Sequence, residues 1–133
     1  MSLIDLLRIP VWTGFAAVLL FIIMLLDSLF TRYSDFQEMK SGNVAVTTRF
    51  VMKLLAQAFI LFQSITKSSL MWEAFLITIV SFVVLLIMES LFRFILDKSI
   101  GLRLDQGIRE GKIAYALLAG SVHIAGALII GAI

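Results

Sequence analysis

Four apolar runs, Val11–Phe30, Val44–Ile65, Met71–Phe94 and Ile113–Ile133, divide the chain, and only short polar stretches join them. Each run holds about the 20 residues that a helix needs to cross the hydrocarbon layer of a bilayer. Inside lipid a backbone must satisfy its own hydrogen bonds, so each run is read as a transmembrane helix. Of the 133 residues 61% are hydrophobic, with a mean hydropathy of +1.06; a soluble domain has roughly 45–50%. The first run is too long for a signal-peptide core and no A-x-A site follows it, so it is expected to stay in the mature protein. The expectation is an all-α membrane protein, a single membrane domain over residues 1–133 packed as a four-helix bundle.

The chain repeats itself. DSLF at residues 27–30 returns as ESLF at 89–92, which gives Asp27 a twin in Glu89. MKSGNVA (Met39–Ala45) returns as IREGKIA (Ile108–Ala114), pairing Lys40 with Arg109 and Gly42 with Gly111. The reading is a tandem repeat of a two-helix unit, the first copy over about residues 11–66 and the second over about 71–133. Each unit crosses twice, so both copies start from the same side of the membrane and are parallel. The second connector is longer than the first. Its extra stretch, around KSIGLRLD, is expected at the interface with Leu102 and Leu104 toward lipid.

EMKSGNVAV ahead of the second helix and its echo IREGKIAYALLAG ahead of the last, within a duplicated two-helix plan, resemble the family called domain of unknown function 350. The resemblance covers nearly the whole chain. It implies a small bacterial inner-membrane protein of four helices, and it brings no established activity. The helix after the motif is typically rich in small apolar residues in that family, whereas here it carries Thr47, Thr48, Arg49, Lys53 and Gln57.

Orientation follows from the basic residues. Arg32 and Lys40 lie in the first connector, and Arg93, Lys98, Arg103, Arg109 and Lys112 flank the third. The opposite side carries only Arg8 and Lys67, so the positive-inside rule places these two connectors in the cytoplasm and both termini in the periplasm.

The second helix has a polar stripe. Arg49, Lys53 and Gln57 recur every four residues and share one face, which cannot face lipid. From the helix start, Arg49 lies about 8 Å and Lys53 about 14 Å inside. Asp27 is expected to pair with Arg49, while Glu89, Arg93 and Asp97 satisfy one another along the third helix. Lys53, Gln57 and His123 fall at similar depth and are candidates for a hydrated path for protons or anions. No second carboxylate is expected at that depth, which argues against a cation relay.

Two further groups complete the reading. Lys40, Ser41 and Asn43 before the second helix, and Arg109 and Lys112 before the fourth, are candidate contacts for the phosphate of anionic lipid headgroups. Ala116 with Gly120, and Ala127 with Gly131, are small-xxx-small spacings that allow close helix packing within a bundle or between subunits. With no cysteine, one histidine and no catalytic or nucleotide-binding motif, the chain is expected to be neither an enzyme nor a holder of metal or cofactor. Its basic residues hug the bilayer without interleaved aromatics, which argues against nucleic-acid binding. The expected function is a structural or regulatory membrane protein that forms a homo-oligomer or joins another membrane subunit; the alternative is a subunit of an oligomeric ion channel or transporter.

Overall fold

The computed structural model describes residues 2–31 and 33–133, so Arg32, one of the connector cations, lies outside the described residues. Six helices follow in order: α1 (Leu3–Ser28), α2 (Asp35–Lys40), α3 (Val44–Lys67), α4 (Met71–Ile100), α5 (Leu104–Arg109) and α6 (Ile113–Gly131). No strand occurs among the described residues. α1, α3, α4 and α6 are long and apolar enough to cross a membrane, and α2 and α5 are the short helices of the two long connectors.

Two ends differ from expectation. α1 starts at Leu3 rather than Val11, because Ser2 and Asp5 form a capping box: Ser2 Oγ accepts from the Asp5 amide at 3.3 Å and Asp5 Oδ2 accepts from the Ser2 amide at 3.1 Å. Pro10 then sits inside the helix instead of heading it. α4 runs past Phe94 to Ile100, where Gly101 turns into the left-handed region at φ 68. The Leu102 amide donates back to the Leu96 carbonyl at 3.2 Å, which closes the helix end. At about 1.5 Å per residue, such a helix outreaches a hydrocarbon layer of roughly 30 Å.

α3 is the central helix, touching α1, α4 and α6 along the bundle and α2 and α5 at its beginning. It runs parallel to α6. At one end Asn43 Nδ2 donates to the Arg109 carbonyl at 2.9 Å, and at the other Lys67 Nζ donates to the Gly131 carbonyl at 2.7 Å. Both long connectors therefore lie at the same end of the bundle, and α1 and α4 run the opposite way.

Small residues let α6 come close. Ala116, Ala119, Gly120 and Ala127 are buried. A Cβ on Gly120 would collide with Met52 of α3, and one on Gly131 with Phe59 of the same helix. The candidate packing residues thus meet α3 within one chain. α4 takes the other flank, where Gly126 leaves room for Leu85 and Met88.

The connectors close by one backbone pattern. Gly42 and Gly111 share φ 89, a conformation open to glycine at little cost. The amides of Asn43 and Lys112 each donate 2.9 Å back to the carbonyls of Glu38 and Gly107. Contrary to expectation, Leu104 does not face lipid. α5 folds back on the bundle, so Leu104 and Ile108 enter a core with Tyr33, Ala45, Val46, Ala116 and Ala119, and Leu102 packs against it.

Candidate functional site

The α3 stripe points into the bundle, and charge is concentrated there. Arg49 is 1% exposed, Lys53 2%, Asp27 2%, Glu89 3% and His123 1%. Burial this deep requires partners for each charge. Arg49 Nη2 meets Glu89 Oε1 at 2.5 Å, while Arg49 Nη1 donates to Asp105 Oδ1 at 2.8 Å and to the Tyr33 hydroxyl at 2.9 Å. Asp105 is shared, since its Oδ2 accepts from Arg93 Nη1 at 2.9 Å.

Asp27 does not meet Arg49. Its Oδ2 pairs with Lys53 Nζ at 2.9 Å, and Arg49 is already claimed by Glu89 and Asp105. The expected ladder along the third span is also absent: Arg93 leaves it for Asp105, and Asp97 faces the exposed Arg103 at 3.7 Å. The second difference comes from α5, which brings the buried Asp105 to the connector end, where it pairs with Arg93 and shares Arg49 with Glu89.

Lys53, Gln57 and His123 are all buried, and carboxylates join them. His123 Nε2 stands 3.2 Å from Glu89 Oε2, a contact without hydrogen-bond geometry, and neither ring nitrogen has a hydrogen-bond partner among the described residues. Asp27, Glu89 and His123, from α1, α4 and α6, each bring a ligand-type atom to within 4.8 Å of the others. Two carboxylates therefore sit at a depth where none beyond the first was expected. Long side chains bridge the one-turn offset between Arg49 and Lys53. Asp27 Oδ1, Gln57 Oε1 and Thr78 Oγ1 are also buried without partners.

Tyr33 and Asp35 border this core on the connector side, and nothing in the sequence pattern singled them out. Burial pushes the Tyr33 hydroxyl up to about 12 against the pull of Arg49, so it stays a neutral phenol that accepts from the guanidinium. Burial likewise raises the Asp35 carboxyl above its usual value, opposed by the charge of Lys53. Asp35 lines a cleft with Ser28 and Ser34 between α1 and α2.

The candidate phosphate contacts lie at the connector end, each beside a neighbour of its own connector or the facing one. Ser41 Oγ donates to the Glu38 carbonyl at 2.9 Å, and Asn43 Oδ1 caps α3 by accepting from the Val46 amide at 3.2 Å. Arg109 faces Glu38 at 3.8 Å, and Lys112 lies 3.6 Å from Glu110 and over the Tyr115 ring. Lys40 is exposed at the end of α2.

No curated protein and no solved structure matches the chain. The family model described as Domain of Unknown Function (DUF350) matches residues 1–133, the whole length of the four-span chain, which is therefore a member of that family.

Proposed function

We propose that the chain is a cation-handling membrane protein, a channel or transporter subunit whose ion rests in or passes through the charged core. The observation that carries this reading is the meeting of Asp27, Glu89 and His123 in one buried layer with acceptor atoms left over. An anion would need free donors. Arg49 Nη1 and Nη2 and Lys53 Nζ are bound to acids, and among the described residues the buried atoms without partners are the acceptors Asp27 Oδ1 and Gln57 Oε1 alongside one guanidinium donor, Arg49 Nε. Among the described residues four buried acids, Asp27, Asp35, Glu89 and Asp105, face three cations, Arg49, Lys53 and Arg93.

The polar line is long enough to matter. From Arg49 through Lys53 and Gln57 to Ser64, α3 carries buried polar side chains over roughly 22 Å of its length, and α4 adds Thr78 and Ser81. Flux into liposomes tests the reading: the reconstituted protein should pass cations in preference to chloride, and His123→Gln and Asp27→Asn should abolish passage. Protein that passes chloride alone, or nothing at any potential, overturns it.

A second reading has its own support. Arg49, Lys53 and Arg93 are each matched by an acid within one chain, as in a scaffold that fixes helix register. The protein is then a structural or regulatory subunit that assembles with copies of itself or with another membrane protein. The stripe is enclosed by its own chain, so the contact would use the outward apolar faces, such as Leu3, Ile4 and Phe21 on α1. Light scattering in detergent should then give a mass well above 14.8 kDa. Neither reading assigns an enzymatic step. Both place the chain in a bacterial inner membrane with the connectors, and the anionic headgroups they attract, on the cytoplasmic side.

A further inference from the structure

Asp27 and Glu89 divide their oxygens in the same way. Each gives one oxygen to a cation of α3, Asp27 Oδ2 to Lys53 and Glu89 Oε1 to Arg49. Among the described residues Asp27 Oδ1 is left without a partner, and Glu89 Oε2 is turned to His123. Carboxylates oriented by a second partner in this manner are typical of ligands around a metal ion.

The separations suit an ion as well. His123 Nε2 and Glu89 Oε2 are 3.2 Å apart yet not hydrogen-bonded. Two ligands that each bind one ion at about 2.0–2.2 Å stand about 3 Å from each other. Among the described residues the unpartnered acceptors of the layer, Asp27 Oδ1, Gln57 Oε1 and the bare nitrogen of a neutral His123, are buried almost completely, and a positive centre satisfies all three.

We propose that Asp27, Glu89 and His123 form a binding site for one divalent first-row transition-metal ion, held through Asp27 Oδ1, Glu89 Oε2 and a His123 ring nitrogen. One imidazole with two carboxylates selects this class over alkali and alkaline-earth ions, which prefer all-oxygen sites. Three protein ligands leave positions open for exchange. Lys53 and Arg49 on α3 face the site, and Lys53 competes with the ion for Asp27. Removing its charge therefore favours the ion. The inference rests on the reading of this core as a cation site and names the ion.

The test is equilibrium dialysis of the untagged full chain, stripped of metal in detergent, against Mn2+, Co2+ and Zn2+, with elemental analysis and the visible spectrum of bound Co2+ as readouts. We expect about one ion per chain, a loss of more than about a hundredfold in affinity for Asp27→Asn and His123→Gln, and a gain of about tenfold for Lys53→Gln. Misfolding cannot produce that gain. Absence of binding by the wild-type chain, or Lys53→Gln weakening binding as much as Asp27→Asn, overturns the site. A chain that binds none of these ions but passes monovalent cations or protons in liposomes overturns the metal and leaves the transport reading standing. A chain that binds one and passes none supports the metal and overturns transport.

Discussion

Lys53 Nζ lies 2.9 Å from Asp27 Oδ2, and both residues are 2% exposed. An ion pair at that depth is held by mutual need: losing either member leaves a bare charge in a medium that solvates it poorly. Asp27→Asn or Lys53→Met should each lower stability by about 3–5 kcal/mol, and the double variant should recover much of the loss. Asp27 and Arg49 should couple by less than about 0.5 kcal/mol. Thermal melts in detergent, arranged as two double-mutant cycles, measure both couplings. Stronger coupling of Asp27 to Arg49 than to Lys53 would contradict the geometry.

Asp105 ties α5 to the bundle through Arg49 and Arg93. Asp105→Asn should loosen the second connector while leaving the spans in place. Hydrogen exchange across residues 101–112 should rise markedly in the variant, and exchange in α2 should not. Equal change in both connectors would show that Asp105 acts on the whole bundle.

Gly120 and Gly42 are needed for different reasons. A methyl group at Gly120 runs into Met52, so Gly120→Ala should cost about 1–3 kcal/mol by overpacking. Gly42 and Gly111 have open space around them but share φ 89, so alanine at either should cost about 1–2 kcal/mol through the backbone alone. Met52→Ala should relieve the Gly120→Ala variant and leave Gly42→Ala unaffected.

Asp35 gives the stability a pH dependence of known sign. Its carboxyl is raised by burial above the ordinary 3.8. The native state thus holds the proton longer than the unfolded chain does, and this contribution is complete below about 3.8 and lost as pH rises through the raised value. Asp35→Asn should remove that decline. Melting temperature recorded against pH for both proteins, and subtracted, isolates it; curves that stay parallel would disprove the assignment.

The chain has no cysteine, so introduced ones report orientation cleanly. Ser41→Cys should be shielded in intact cells from a membrane-impermeant maleimide, and Ser2→Cys should react. The reverse pattern would invert the topology.

Spans and stripe were legible because each depends on a local period: about 20 apolar residues for a crossing, four-residue spacing for Arg49, Lys53 and Gln57. The motif pair MKSGNVA and IREGKIA likewise marks two connectors whose glycines have the same φ. Pairing was not legible. Whether Asp27 reaches Arg49 or Lys53 depends on how α1 crosses α3, and that is fixed by side-chain packing such as Leu19, Ile23 and Leu61 rather than by spacing. Asp105 was hidden for another reason. It lies in a connector where an acid next to Arg103 reads as solvated, and only the turn of α5 back onto Tyr33, Val46 and Ala116 carries it inward.

Placing Arg49 and Lys53 inside α3 also constrains how the chain enters the membrane. A charge such as Lys53 near the middle of a helix opposes insertion by about 2.5–3.5 kcal/mol, Arg49 nearer the helix start opposes it less, and α3 is the least apolar of the four spans. During synthesis α1 comes first and carries Asp27, so Lys53 meets a counter-charge already in the bilayer. Arg49 does not. Its partners Glu89 and Asp105 belong to α4 and α5, still unmade when α3 leaves the ribosome. α3 should therefore linger beside the insertion machinery until the second half of the chain arrives, and a ribosome stalled before Glu89 should leave it exposed to membrane proteases.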